Sequence, residues 1–206
     1  MSDEKPQKSS NLETYSGLLL AVFAAVLAIT DLGAGRYGGD EMIAVNEKTS
    51  SYLWYQSKGI KHDLTEGRAE LLKSLVASGA ISEDKKPVID SLVAVLDKKM
   101  VRYDKQKKEI LLGSSQVGKD NWVQDIDGKF GIVTGAKEWE ATAQKLGDAG
   151  DFFDGATLFL QLCIVMGAIS IISPTEASKR NFFLGMIILG LIGAAITTYA
   201  FLLVNS

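Results

Sequence analysis

The chain holds few residues equipped for catalysis or metal chemistry. It has one histidine, His62, and one cysteine, Cys163. A relay of serine, histidine and aspartate needs an imidazole held by a carboxylate, and a structural zinc site needs several Cys or His donors; single copies point to neither. No His-Glu-x-x-His occurs. Two carboxylate pairs, Asp125 with Asp127 and Asp151 with Asp154, are the remaining acid–base candidates, and on glycine-rich or interfacial ground such groups are usually solvated. Asp125-Ile126-Asp127-Gly128 matches part of a calcium loop. With Gly128 at the sixth position, however, Val123 falls on the first ligand and Thr134 on the bidentate glutamate, so the match fails at both ends. The glycines of this stretch show neither a Gly-Lys-Ser/Thr ending nor a G-x-G-x-x-G order, so no phosphate cradle is expected. The expectation is a chain without enzymatic activity, cofactor or metal.

The elements around these residues are set by three apolar runs. Residues 15–34, 152–173 and 181–204 are almost free of charge. A helix rises about 1.5 Å per residue and a hydrocarbon core is about 30 Å thick, so each run is long enough to cross a bilayer. The first run follows a long, acid-containing tail, residues 1–14, with no small-x-small cleavage site, and reads as an anchor rather than a signal peptide. Residues 174–180, with Pro174, Lys179 and Arg180, form a short basic loop between the last two spans. With Lys5 and Lys8 in the tail, that loop votes for a cytoplasmic N-terminus, leaving residues 35–151 on the periplasmic side of a bacterial inner membrane. A net charge of −3, with basic and acidic residues interleaved, argues against nucleic acid as a partner.

Residues 35–151 form the extramembrane part. Gly33, Gly35, Gly38 and Gly39 predict a break or hinge where the chain leaves the first span. From Asp40 to about Ser78, Val45, Thr49, Tyr52, Leu53, Gln56, Ile60, Leu64, Gly67, Leu71 and Leu75 recur at three- and four-residue steps, the mark of one helical face. Ser82 is the expected N-cap of a second helix whose stripe runs through Ile89, Leu92, Val93, Leu96, Met100, Tyr103, Lys107, Ile110 and Leu111. The two stripes would meet as an antiparallel hairpin, or across copies as a coiled coil. A further helix from Ala136 runs on into the second span, and the tryptophans Trp54, Trp122 and Trp139 are expected to anchor packing.

Asn46 to Lys61, NEKTSSYLWYQSKGIK, resembles the signature of a family of small bacterial membrane proteins described as domain of unknown function 4337. There an apolar anchor and an aromatic cluster precede Tyr-Gln-small-Lys-x-Ile-Lys, matched by Tyr55, Gln56, Ser57, Lys58, Ile60 and Lys61. Tyr52 stands where tryptophan is expected and Trp54 where tyrosine is. The resemblance also covers the plan of one early span, a helical middle and two late spans. It implies location and architecture, not chemistry.

The expected fold is therefore all-α: three transmembrane helices with a long hairpin outside the membrane. The expected role is a homo-oligomeric scaffold in the lipid bilayer, alone or with another membrane protein. Small residues at Gly167, Gly190 and Ala194 suit close helix approach, and the amide of Gln161 must find partners in lipid. Tyr52, Trp54, Tyr55, Gln56, Leu64 and Leu71 are the packing candidates outside it. The rival expectation is an ion-conducting or transport assembly whose lumen would be lined by Asp31, Gln161 or Thr197.

Overall fold

A computed structural model of the chain describes residues 11–206. Among these, five α-helices follow one another: α1 (Asn11–Ala77), α2 (Lys86–Leu112), α3 (Ser114–Val117), α4 (Ala136–Ile172) and α5 (Glu176–Asn205). They fall into two compact units, residues 11–41 with Gln144–Ser206, and Met42–Ala143.

In the first unit the N-terminal part of α1, most of α4 and all of α5 pack together. Phe23, Leu160, Cys163 and Met186 form the buried centre, flanked by Leu19, Leu20, Val26, Leu27, Met166, Phe183 and Leu189. Small residues set the spacing: a Cβ on Gly190 would lie 2.4 Å from the Phe23 ring, and one on Gly167 would lie 2.7 Å from both Leu20 Cδ1 and Met186 Sδ. Two hydroxyl pairs cross the bundle, Ser16 with Ser170 at 3.2 Å and Thr30 with Thr197 at 2.8 Å. Such pairing removes the penalty of burying a lone hydroxyl. Around the outside, Leu18, Val22, Ile29, Leu32, Leu158, Val165, Ile188, Leu191 and Leu202 are exposed. That much apolar surface is unfavourable in water and costs nothing against acyl chains, and all three helices are long and apolar enough to cross a membrane. This is a membrane protein.

The expected hinge does not form. Gly33, Gly35, Gly38 and Gly39 lie inside the unbroken α1, which runs from Asn11 on through Asp40. Gly33 is a packing notch instead: a Cβ there would meet Phe201 Cζ at 2.8 Å and Phe153 Cε1 at 2.9 Å. The rings of Tyr37, Phe153 and Phe201 cluster at this level, with Phe153 stacked on Tyr37 and edge-on to Phe201. Propensity disfavours glycine in a helix by only about 1 kcal/mol each, which long flanking apolar segments override. Most of the expected tail, with Lys5 and Lys8, lies outside the described residues.

In the second unit α1 and α2 run antiparallel. Lys107 Nζ sits over the Tyr55 ring, His62 Nε2 is 3.6 Å from Asp104, and Lys73 Nζ is 3.6 Å from Asp97, a ladder in which one number rises as the other falls. The α2 stripe is inward as expected at Val93, Leu96 and Ile110, which are buried, but not at Leu92, which is 46% exposed. The α1 stripe is not. The buried positions of α1 here are Ala44, Ser51, Thr65 and Ala69, small residues that let the helices approach, while Leu53, Ile60, Leu64 and Leu71 are each 60% exposed. Ser82 makes no side-chain cap; a 3-10 turn, Glu83–Lys85, intervenes, and α2 starts with Pro87 in its first turn, where its missing N–H is harmless.

Candidate functional site

The second unit carries the polar architecture. Its centre is Glu109, fully buried near the end of α2. One carboxylate oxygen accepts from Ser114 Oγ at 2.8 Å; the other accepts from the backbone N–H groups of Val123 and Gln124, both at 2.9 Å. Ser114 then ties in three more groups. Its N–H donates to Val133 O, its Oγ accepts from Val133 N, and its carbonyl accepts from Trp122 Nε1 at 2.8 Å. Thus one acid organises the irregular segment 113–135. Sequence reading missed it, because Glu109 sits among lysines in KQKKEILL and looks like part of a solvated face.

A second acid fixes the start of α4. Glu138, three residues into the helix, accepts from Gly135 N at 2.8 Å and from Ser115 Oγ. This is the return half of a capping box, with glycine in place of the usual hydroxyl residue. Glycine is required there: a Cβ on Gly135 would lie 2.1 Å from the backbone N of Gly113. Asp125-Ile126-Asp127-Gly128 is a hairpin turn, not a calcium loop. Ile126 and Lys129 exchange both backbone bonds across Asp127 (φ 52°) and Gly128 (φ 76°), and Asp125 Oδ1 accepts from Gly128 N. Asp-Gly between two such residues is the sequence signal for this turn.

The sequence candidates are scattered. Tyr52 donates to Glu140 Oε2 at 3.1 Å; desolvation first, then that carboxylate, raise the phenol above its ordinary 10.0. Tyr55 lies under Lys107, and Gln56, Leu64 and Leu71 are exposed. Trp54 lines an open cleft of about 420 Å³ with Trp139, Glu47, Ser50, Ser51 and Thr134, among others. Glu47 is its only ionisable lining residue among those described, and the hydroxyls of Ser50, Ser51 and Thr134 are the other polar side chains along it. His62 Nδ1 lies 3.2 Å from Asp63 and 3.9 Å from Glu66, and its Nε2 faces Asp104. His62, Asp63 and Glu66 bring ligand atoms within 4.8 Å of one another, but two of the three side chains are exposed and all come from a single turn and a half of helix.

In the first unit Gly167 and Gly190 are buried within the chain, and Ala194 is half-buried. Thr197 donates to Gly193 O and pairs with Thr30, inside the bundle. Gln161 and Asp31 are exposed, the latter accepting from Thr157 Oγ1 at 3.2 Å.

No curated protein and no solved structure matches this chain. A family model does, across residues 12–203, and with nearly the whole described length covered, the chain belongs to the family described as domain of unknown function (DUF4337).

Proposed function

We propose that the protein is a non-enzymatic, self-associating scaffold of a bacterial inner membrane, with copies joined along the outer face of α1 in the second unit. The observation that carries this reading is the exposed stripe Leu53, Ile60, Leu64 and Leu71, which α2 leaves uncovered. With Ser57 and Gly67 it steps by four and three, the period of a two-helix seam. No atom lies within 4 Å of where a Cβ on Gly67 would stand, so a neighbouring helix has room.

The flanking charges choose the partner. In a parallel, in-register pair a residue just before one seam position faces the partner's residue five places on, which sets Asp63 against the second copy's Arg68 and Gln56 against its Lys61. An antiparallel pair would face Asp63 and Glu70 with acids, and Lys61 and Arg68 with bases. The outward amide of Gln161 also needs a partner that lipid cannot supply. Charge bias at Lys179 and Arg180 favours a cytoplasmic N-terminus and a periplasmic second unit.

The mass of the particle in mild detergent tests this. Wild type should run as an oligomer, and Ile60→Glu with Leu64→Glu should shift it to the monomer. A wild-type monomer, or an oligomer indifferent to both charges, refutes the seam. An ion-conducting assembly is a second reading, favoured by Asp31 and Gln161 both facing away from the bundle. Ion flux through proteoliposomes, lost in Gln161→Leu, would favour it over the scaffold.

A further inference from the structure

The groove between α1 and α2 in the second unit has a volume of about 270 Å³ and is lined by Lys58, Lys61, Lys99, Arg102, Tyr103 and Gln106. No carboxylate lines it. The acids nearby are engaged elsewhere: Asp104 faces His62 and Lys107, and Asp97 faces Lys73. None of the four groove cations forms an ion pair among the described residues. Four like charges held together without a counterion oppose folding, so a solvated basic surface would be expected to spread them apart.

These are not spread. Lys58 is half-buried, and burial, then Lys61 and Arg102, pull its ammonium below the ordinary 10.5. Gln106 is buried, at 5% exposure, and its Oε1 has no partner. A buried acceptor left unpaired beside concentrated positive charge calls for a ligand that is anionic and also carries a donor.

We propose that this groove binds a phosphate group, as a phosphomonoester or diphosphate. A singly protonated phosphate has oxygens to accept from Lys58, Lys61, Lys99, the Arg102 fork and the Tyr103 hydroxyl, and one O–H to donate to Gln106 Oε1. The groove has no aromatic floor beyond Tyr103 and few apolar walls, so it reads the charged head and not what is attached to it. The phosphate belongs either to a soluble metabolite or to a lipid headgroup. The site is complete within one chain and does not depend on association between copies.

Calorimetric titration of pyrophosphate into the full-length protein in phosphatidylcholine nanodiscs tests it. Saturable binding, one site per chain with a sub-millimolar constant, is expected. Arg102→Gln and Lys58→Gln should each weaken it by about tenfold or more. Lys85→Gln, which removes a charge outside the groove, should change it less than about twofold. Replacing part of the phosphatidylcholine by phosphatidic acid, a lipid whose head is a phosphomonoester, separates the sources: competition with pyrophosphate identifies a headgroup, and unchanged affinity a soluble phosphate. No saturable binding, or equal losses in Lys85→Gln and the groove variants, would overturn the proposal.

Discussion

Replacing Glu109 by alanine removes the acceptor of three donors at once. Val123 N and Gln124 N, each 2.9 Å from the carboxylate, lose their partner, and so does the Ser114 hydroxyl. A stranded buried donor costs about 1–3 kcal/mol, and relief of the buried charge returns part of the sum, so a net loss of about 3–5 kcal/mol is expected. That is a large fraction of the roughly 5–15 kcal/mol by which domains are stable. Glu109→Gln should cost less. Its amide oxygen can still serve both backbone N–H groups, and its NH2 can turn to Ser114 Oγ, which already accepts from Val133 N and has a lone pair left. The assay is amide hydrogen exchange, read by mass spectrometry, on the segment 113–135 of the full-length protein in detergent. Since about 1.4 kcal/mol is a factor of ten, Glu109→Ala should lower protection there by about a hundredfold or more, leaving the first unit unchanged. A loss below about tenfold, or a Glu109→Gln variant as damaged as Glu109→Ala, would refute the claim that one carboxylate organises this segment.

Two further outcomes follow from local geometry and charge. Gly135→Ala should abolish the thermal transition of the second unit, because its Cβ would stand 2.1 Å from Gly113 N, whereas Gly59→Ala, with nothing within 4 Å, should raise stability by about 1 kcal/mol. The depressed Lys58 ammonium, perturbed by burial, then Lys61 and Arg102, gives stability a signed pH dependence. Between its folded value and the ordinary 10.5, the unfolded chain binds more protons, so denaturation midpoints should rise as pH climbs through that window. Lys58→Met should remove the rise.

What the sequence made legible was periodicity and solvent. Long uncharged runs have one stable setting, so the three spans and the helical class were readable from residues alone. The apolar stripe of α1 was also readable; its direction was not. Period tells which residues share a face, and here a second line of small residues, Ala44, Ser51, Thr65 and Ala69, is the one that is buried. The polar node was illegible for a different reason. Glu109, Ser114 and Gly135 gain meaning only from donors that tertiary folding brings to them, and nothing local to KKEILL distinguishes a buried acid from a solvated one. Asp127-Gly128 could have been found, since Asp-Gly alone points to a two-residue hairpin turn.

The uncovered stripe bears on how strong a seam must be. Four large apolar side chains at seam positions, interrupted by Ser57 and Gly67, would make a weak pair between free helices. Copies anchored in one bilayer, however, share a single orientation and diffuse in two dimensions. Anchoring would therefore raise the effective concentration of the proposed pair without adding a contact. On this argument charge complementarity sets register, and the membrane supplies what the seam lacks in area. Exchanging the flanking charges separates the contributions: Asp63→Arg alone should break the oligomer, and Asp63→Arg with Arg68→Asp should restore it. Restoration by the double variant would place the two residues across the interface from one another. Failure to restore, with Asp63→Arg and Arg68→Asp each folded on its own, would mean that the charges act within one chain and that register is set elsewhere.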